Sequence, residues 1–136
     1  MLTDEERRAS YEAIDLARLP DDGIECEPAR WWSTRPCGCR HCRGDWRRIA
    51  VLSVEVLARG IDPLDFDAIR AFSRQKLRWS RRDCGWLLSL FCDPVVVAPT
   101  DESYTNGRHR VHAMRLARVK MAVIYTKAGE RGRRGP

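Results

Sequence analysis

The stretch from residue 93 to residue 125, DPVVVAPTDESYTNGRHRVHAMRLARVKMAVIY, contains the clearest structural signals in this chain of 136 residues. Three consecutive valines at 95–97 favour a β-strand, and the PTDES that follows is rich in turn-forming residues. Asn106-Gly107 then leads into a segment with apolar residues at a three-residue interval, and residues 121–125 form a second apolar run. We therefore predict the order strand, turn, helix, strand for residues 93–125.

Upstream of this unit, the apolar spacing is mostly helical. It predicts helices over residues 46–59, over residues 65–79, and in a shorter segment that has Asp83 near its start. Residues 46–59 also contain a strand-like alternation, but their length and the glycine that follows favour a helix. A capping-box pair, Thr3 and Glu6, begins a further predicted helix over residues 4–18.

Taken together, these elements predict an α+β fold with a small mixed sheet and several helices, in a single domain of residues 1–127. The remaining residues, 128–136, contain no apolar anchor and are predicted to be a disordered basic tail.

The segment 21–45 has neither helical nor strand periodicity, although it contains four cysteines. A segment of this length needs a source of order other than backbone ladders. Three of its cysteines lie in the string CGCRHC, and zinc takes four sulfur or imidazole ligands. We predict a zinc-knuckle-like segment whose ligands are Cys26, Cys37, Cys39 and Cys42. Alternatives for the fourth ligand are His41, Cys84 and Cys92, and an iron–sulfur cluster or metal-free thiols stay open.

The aromatic residues around this segment, Trp31, Trp32 and Trp46, are expected to belong to the core or to cover it. His112 follows His109 by three residues, a spacing that also permits chelation from one helical face, although a packed or solvated histidine is the expectation.

A glycine before a helix lets backbone amides approach an anion, and the positive end of the helix dipole favours phosphate there. The predicted helix after Gly107 begins with an imidazole and two guanidinium groups that can add charge-assisted hydrogen bonds. The candidate phosphate-binding residues are therefore Asn106, Gly107, Arg108, His109 and Arg110.

The string YTNGRHRVHAM, placed between a valine-rich strand and a helix that leads to another strand, resembles the glycine-x-histidine-arginine box of the ParB and sulfiredoxin-like superfamily. The resemblance covers residues 93–125. It implies a nucleotide-binding unit in which Gly107, His109 and Arg110 hold the phosphates of ATP or CTP with magnesium, and it leaves phosphotransfer or nucleotide hydrolysis open.

One position departs from the residues that two branches of the superfamily carry there. Arg108 stands where sulfiredoxins place their reactive cysteine, so reduction of a sulfinic acid is not expected, and where chromosome-partition proteins carry a glutamate. Free-serine kinases of the superfamily use an upstream glutamate as base, for which Glu55, Asp65 and Asp67 are candidates by residue type only. The catalytic residues stay unknown.

The chain carries 25 basic and 19 acidic residues, which gives a formal net charge of +6. Nearly all of the basic residues are arginines, whose planar fork suits bidentate phosphate contacts. Residues 108–136 contain a strong basic excess, which attracts polyanions. No apolar run reaches the roughly 18 residues that span a bilayer, and the acidic start does not resemble a secretory signal. We expect a cytoplasmic protein without a membrane partner.

Two functions follow from these patterns. The first is a ParB- or sulfiredoxin-like nucleotide-binding protein whose N-terminal half is braced by zinc. The alternative is a zinc-stabilised module that binds DNA or RNA without catalysis through the cysteine cluster, the tryptophans and the arginine-rich C-terminal stretch.

Overall fold

The computed structural model describes residues 2–26, 28, 31–32, 37–97 and 103–126. Its elements, in chain order, are α1 (Asp4–Ala9), β1 (Tyr11–Asp15), α2 (Trp46–Ala58), α3 (Phe66–Lys76), α4 (Arg81–Cys92), β2 (Val96–Val97), β3 (Tyr104–Asn106), α5 (Arg108–Leu116) and β4 (Met121–Tyr125). Two short 3-10 helices, Leu16–Arg18 and His41–Arg43, lie between β1 and α2. The predicted tail and most of the predicted PTDES turn lie outside the described residues.

Within the described residues, one mixed sheet has the strand order β1-β4-β2-β3. The last strand, β4, runs antiparallel to β1 along five residue pairs and parallel to β2, where the Tyr125 amide donates to the Val95 carbonyl at 2.9 Å. β2 and β3 pair antiparallel. The predicted α+β class with a small mixed sheet is confirmed, as are the predicted strand, helix and final strand of residues 93–125. The structure adds the short strand β3 before the helix, which the sequence analysis did not predict.

The prediction of one helix over residues 4–18 is wrong. α1 begins with the predicted capping box, in which Thr3 accepts from the Glu6 amide, but it ends at Ala9. Residues 11–15 form β1 instead, because their backbone groups pair with those of residues 121–125. Such a long-range ladder overrides local helical spacing.

The three predicted helices α2, α3 and α4 are confirmed, and each begins at a side chain that accepts a backbone amide. Those capping residues are Asp45, Asp65 and Ser80. The helices pack against the sheet around a core in which Trp46, Leu87 and Phe91 are fully buried. Among the described residues, no helix is both long enough and apolar enough to cross a membrane.

Gly107 connects β3 to α5 in a left-handed conformation, with φ at 88°. A Cβ at this position would lie 2.7 Å from Val95 Cγ2 and 2.9 Å from Val95 Cα. The backbone at Val95, just before β2, therefore packs directly against the start of α5, and only glycine satisfies both the conformation and the packing.

We expect Gly107→Ala to reduce the free energy of unfolding by about 3 kcal/mol or more, because it combines a strained φ with backbone overlap. Gly60→Ala is the matched control, since Gly60 has φ at 73° and a Cβ added there would meet no other atom within 4 Å. This control should cost only about 1 kcal/mol. Urea denaturation of both variants measures the difference, and equal losses would contradict the packing argument.

Candidate metal centre

The sulfur atoms of Cys26, Cys37, Cys39 and Cys42 all lie within 4.8 Å of one another. A tetrahedral zinc site with bonds of about 2.3 Å separates its sulfurs by roughly 3.8 Å, so the four sulfurs are placed to hold such an ion. These are the four predicted ligands, and the fold brings Cys26 to the three cysteines that begin eleven residues later in the chain. The donor set is consistent with zinc.

The alternative ligands lie elsewhere. The Cys84 thiol donates to the carbonyls of Ser73 and Leu77 at 3.4 Å each, and Cys92 is exposed. The His41 ring packs against Trp86, with 5.0 Å between the ring centroids.

The local environment shifts the pKa values of the cluster thiols in different directions. Burial, followed by the neighbouring sulfurs, raises the pKa of Cys26 to about 11 and also raises that of Cys42. Burial alone would raise the pKa of Cys37 too, but the Cys39 backbone amide and the neighbouring thiols donate to its sulfur and hold its pKa below the ordinary value. Cys37 therefore ionises more readily than Cys26 or Cys42 in the metal-free cluster.

His112 on α5 contacts the cluster. Its Nε2 lies 3.0 Å from the Cys26 sulfur, and its Nδ1 lies 3.1 Å from an Asp22 carboxylate oxygen. Asp22 is 8% exposed, so this chain of contacts is shielded from water. A ring held by a carboxylate on one nitrogen and facing a sulfur with the other is a typical outer hydrogen-bond partner of a metal ligand. His112 is thus a packed histidine, as expected, and His109 stacks on His41 instead of pairing with His112. The spacing of the two histidines did not indicate the contact of His112 with Cys26.

The order cysteine, histidine, aspartate also occurs where a thiol acts as a nucleophile. One observation favours the metal-ligand role here. The sulfurs of Cys37, Cys39 and Cys42 all lie within 4.8 Å of the Cys26 sulfur, an arrangement that a nucleophilic thiol does not need.

Arg115, one turn after His112, ties the segment before Cys26 to α5. Its guanidinium also contacts Asp22 at 3.2 Å. Its other hydrogen bonds, each at 2.9 Å, go to the carbonyl oxygens of Leu16, Leu19 and Pro20. The pKa of Asp22 lies below its ordinary value although burial alone would raise it, because the Ile24 amide, Arg115 and His112 stabilise the carboxylate. The strap from residue 16 to residue 22 is thereby fixed beside the cluster.

The predicted phosphate-binding residues divide into two groups. Arg110 is 4% exposed and donates to the carbonyl and hydroxyl of Ser89 at 3.0 and 3.2 Å, and its burial lowers the pKa of its guanidinium. Asn106 donates to the Asp93 carboxylate and to the Pro94 carbonyl. Both side chains are thus hydrogen-bonded within the protein, Arg110 in the interior and Asn106 at the surface.

Arg108 and His109 are exposed at the start of α5. The His109 ring stacks on the His41 ring at 5.2 Å between centroids. Gly107 accepts the Val111 amide through its carbonyl, and none of the described residues provides an acceptor for the three backbone amides that follow Gly107. These amides are available to an anion.

A basic surface that the sequence analysis did not single out flanks α4. One cleft of about 670 Å³ is lined by four arginines, and a second of about 610 Å³ by four as well, with Arg81 and Gly85 common to both. The seven arginines are Arg40, Arg43, Arg70, Arg74, Arg78, Arg81 and Arg82. Their distribution over three separate segments conceals the cluster in the sequence.

The three tryptophans around the cysteine segment differ in burial. Trp46 is fully buried, as predicted, but Trp31 and Trp32 are 94% and 63% exposed, so their predicted place in or over the core is wrong.

No family model matches this chain, and neither the curated proteins nor the solved structures include a match. The resemblance of residues 106–114 to the ParB and sulfiredoxin-like box therefore stays a prediction.

We expect the purified protein to contain about one zinc ion per chain, and removal of the ion to reduce the melting temperature by roughly 10 °C or more. Cys42→Ser should abolish stoichiometric binding, whereas Cys92→Ser, at an exposed cysteine outside the cluster, should not. Elemental analysis and thermal unfolding with and without a chelator measure both effects. Absence of metal together with an unchanged melting temperature would contradict the metal centre.

His112→Ala should weaken zinc binding by about 10- to 100-fold, because Cys26 loses its outer hydrogen-bond partner. His109→Ala is the control, since His109 lies on the same helix and its ring contacts His41. Competition against a chromophoric chelator measures the affinity, and cobalt substitution reports whether four sulfurs still bind the ion. Equal affinities for the two variants would contradict this role for His112.

Proposed function

We propose that this protein is a nucleic-acid-binding module whose cysteine segment is held by a zinc ion. The observation that carries the proposal is the arrangement of seven exposed arginines along two clefts that share Arg81 and Gly85 on α4. Such a surface attracts phosphate, and arginine binds phosphate through paired donors.

Most of this charge is uncompensated. Arg70 pairs with Asp67 at 3.3 Å and Arg82 with Asp83 at 3.4 Å. In the described parts of the chain, the other five cleft arginines have no carboxylate oxygen within 4.0 Å. Guanidinium groups without a carboxylate partner in the described residues are able to bind an external anion.

The shape of the surface favours a polymer. The two clefts lie along α4 and meet at residues that line both, so the positive surface continues across the helix rather than ending in one enclosed cavity. A nucleic-acid backbone presents regularly spaced phosphates to such a surface, whereas a single nucleotide would occupy only one cleft.

The metal centre supports this surface directly. Arg40 and Arg43 alternate along the chain with the ligands Cys39 and Cys42, and both line the smaller cleft. Because bound metal fixes the backbone of this segment, it also positions these two arginines beside Arg81 and Arg82. Zinc in this proposal has a structural role, and no catalytic step is assigned to it.

A mononucleotide is the second candidate ligand. The observation that favours it is the set of unbonded amides after Gly107, beside the exposed His109. The His109 ring stacks on His41, which lies between the two cleft arginines Arg40 and Arg43 in sequence. ATP or CTP with magnesium would place its phosphates at these amides, as the resemblance of residues 106–114 implies.

We expect short DNA and RNA oligonucleotides to bind with an affinity that falls steeply with salt, with a slope of about −4 to −5 in log K against log salt. The variant Arg74→Ala/Arg78→Ala/Arg81→Ala should reduce that slope by about 3 and weaken binding at every salt concentration. Fluorescence anisotropy across a salt series measures both quantities.

The matched control removes the same charge from exposed arginines outside the two clefts, by Arg7→Ala/Arg18→Ala/Arg48→Ala. If both triple variants lose equal affinity, the effect reflects net charge and the proposed interface is wrong. Calorimetric titration with ATP and CTP in magnesium tests the second candidate. Saturable nucleotide binding that Arg108→Ala/His109→Ala removes, without oligonucleotide binding, would favour the mononucleotide.

A further inference from the structure

Trp79 is 88% exposed in the short connection between α3 and α4, next to the larger arginine-lined cleft. We infer that the nucleic acid bound at this cleft is single-stranded and that Trp79 stacks on one of its unpaired bases. This inference rests on the proposed nucleic-acid-binding function and names the form of the ligand.

The connection holds the indole outward on a fixed backbone. The Leu77 amide donates to the Ser73 carbonyl at 2.7 Å at the end of α3, and the Ser80 amide donates to the Leu77 carbonyl at 2.9 Å. The Ser80 hydroxyl in turn accepts the Asp83 amide in the first turn of α4. Trp79 thus lies between two backbone positions that are hydrogen-bonded to the ends of α3 and α4.

The surroundings of Trp79 are cationic. The Arg78 guanidinium carbon lies 4.9 Å from the centroid of the indole ring, within the range of a cation–π contact. Arg78 also lines the cleft together with Arg70, Arg74 and Arg81. An exposed aromatic ring flanked by arginines is the combination that binds a base by stacking while the neighbouring phosphates are neutralised.

Trp79 differs from the two tryptophans that pack together at the core, Trp46 and Trp86. Trp46 is fully buried, and Trp86 packs against it with 5.4 Å between ring centroids. Trp79 has no such aromatic partner among the described residues, and its large apolar surface faces solvent beside a surface built to attract phosphate.

Stacking distinguishes single strands from duplexes. In a duplex, each base face is covered by its neighbours, so an indole on a protein surface reaches only the groove edges unless it wedges the steps apart. An unpaired base exposes its face, and stacking on an aromatic side chain is tolerant of sequence. The proposed ligand is therefore a single strand of DNA or RNA with little sequence preference.

The test compares four labelled ligands in fluorescence anisotropy at one salt concentration. They are a short single strand of DNA, the RNA strand of the same sequence, the DNA duplex, and an abasic strand that keeps the phosphates but lacks the bases. The wild-type protein should bind the two single strands at least about 10-fold more tightly than the abasic strand, because loss of one stacked base costs roughly 5- to 150-fold in affinity.

Trp79→Ala should reduce affinity for both single strands by about 10-fold and leave the duplex and the abasic strand unchanged. Trp79→Phe should keep most of the affinity, since a phenyl ring also stacks. Trp31→Ala is the matched control, because Trp31 is 94% exposed and does not line the clefts around α4. Thermal unfolding of each variant verifies that the fold is intact.

The inference is overturned if Trp79→Ala binds the single strands as tightly as the wild type does, or if it weakens the abasic strand equally. It is also overturned if wild-type protein binds the duplex as tightly as the single strands. In those cases salt-dependent binding by the wild type would leave the proposed function standing. If the wild type binds none of the four ligands, the proposed function itself fails.

Discussion

The interaction on which the rest of the structure depends is the attachment of residues 16–26 to α5. Arg115 donates to three carbonyl oxygens of the strap and to Asp22, and Asp22 in turn holds His112 against Cys26. These hydrogen bonds go to backbone carbonyls at the start of the Leu16–Arg18 3-10 helix and in the irregular chain after it, and they come from a charged donor, which makes them stronger than neutral ones. Without them, Cys26 would have no fixed position relative to the CGCRHC sulfurs, and the metal centre would lack its fourth ligand.

The same helix, α5, contacts both the cysteine cluster and the arginine-lined surface beside α4. His112 of this helix contacts the Cys26 sulfur. At the start of the helix, His109 stacks on His41, which lies in sequence between Arg40 and Arg43 of the smaller cleft. Arg110 of the same helix donates to Ser89 on α4, the helix that carries Arg81 and Arg82 of the basic surface, so α5 contacts both the cysteine cluster and α4. The cysteine cluster, α5 and α4 are therefore linked by side-chain contacts, so a change at the cluster can reach the arginines beside α4.

The parts of the fold that the sequence predicted well are those specified by nearby residues. The strand, turn and helix after Pro94 depend on valines, an Asn-Gly pair and a short apolar period, and all three signals are local. The four cysteines were identified because their side-chain chemistry leaves few alternatives.

By contrast, β1 depends on a partner more than one hundred residues away, and the arginine surface combines residues from three segments. Arg110 illustrates a further limit, because its residue type suggests an anion ligand whereas its position buries it against Ser89. Residue type and spacing specify what a side chain is able to do, and tertiary packing decides where it does so.

The position of β4 in the sheet has a consequence for biosynthesis. This strand is inserted between β1 and β2, yet it is the last of the four strands to be synthesised. Until residues 121–125 have left the ribosome, the backbone donors and acceptors of residues 11–15 have no ladder to join, and such unpaired edges are prone to association with other chains. The nascent chain is therefore expected to complete its sheet in a single late step, when β4 inserts between β1 and β2.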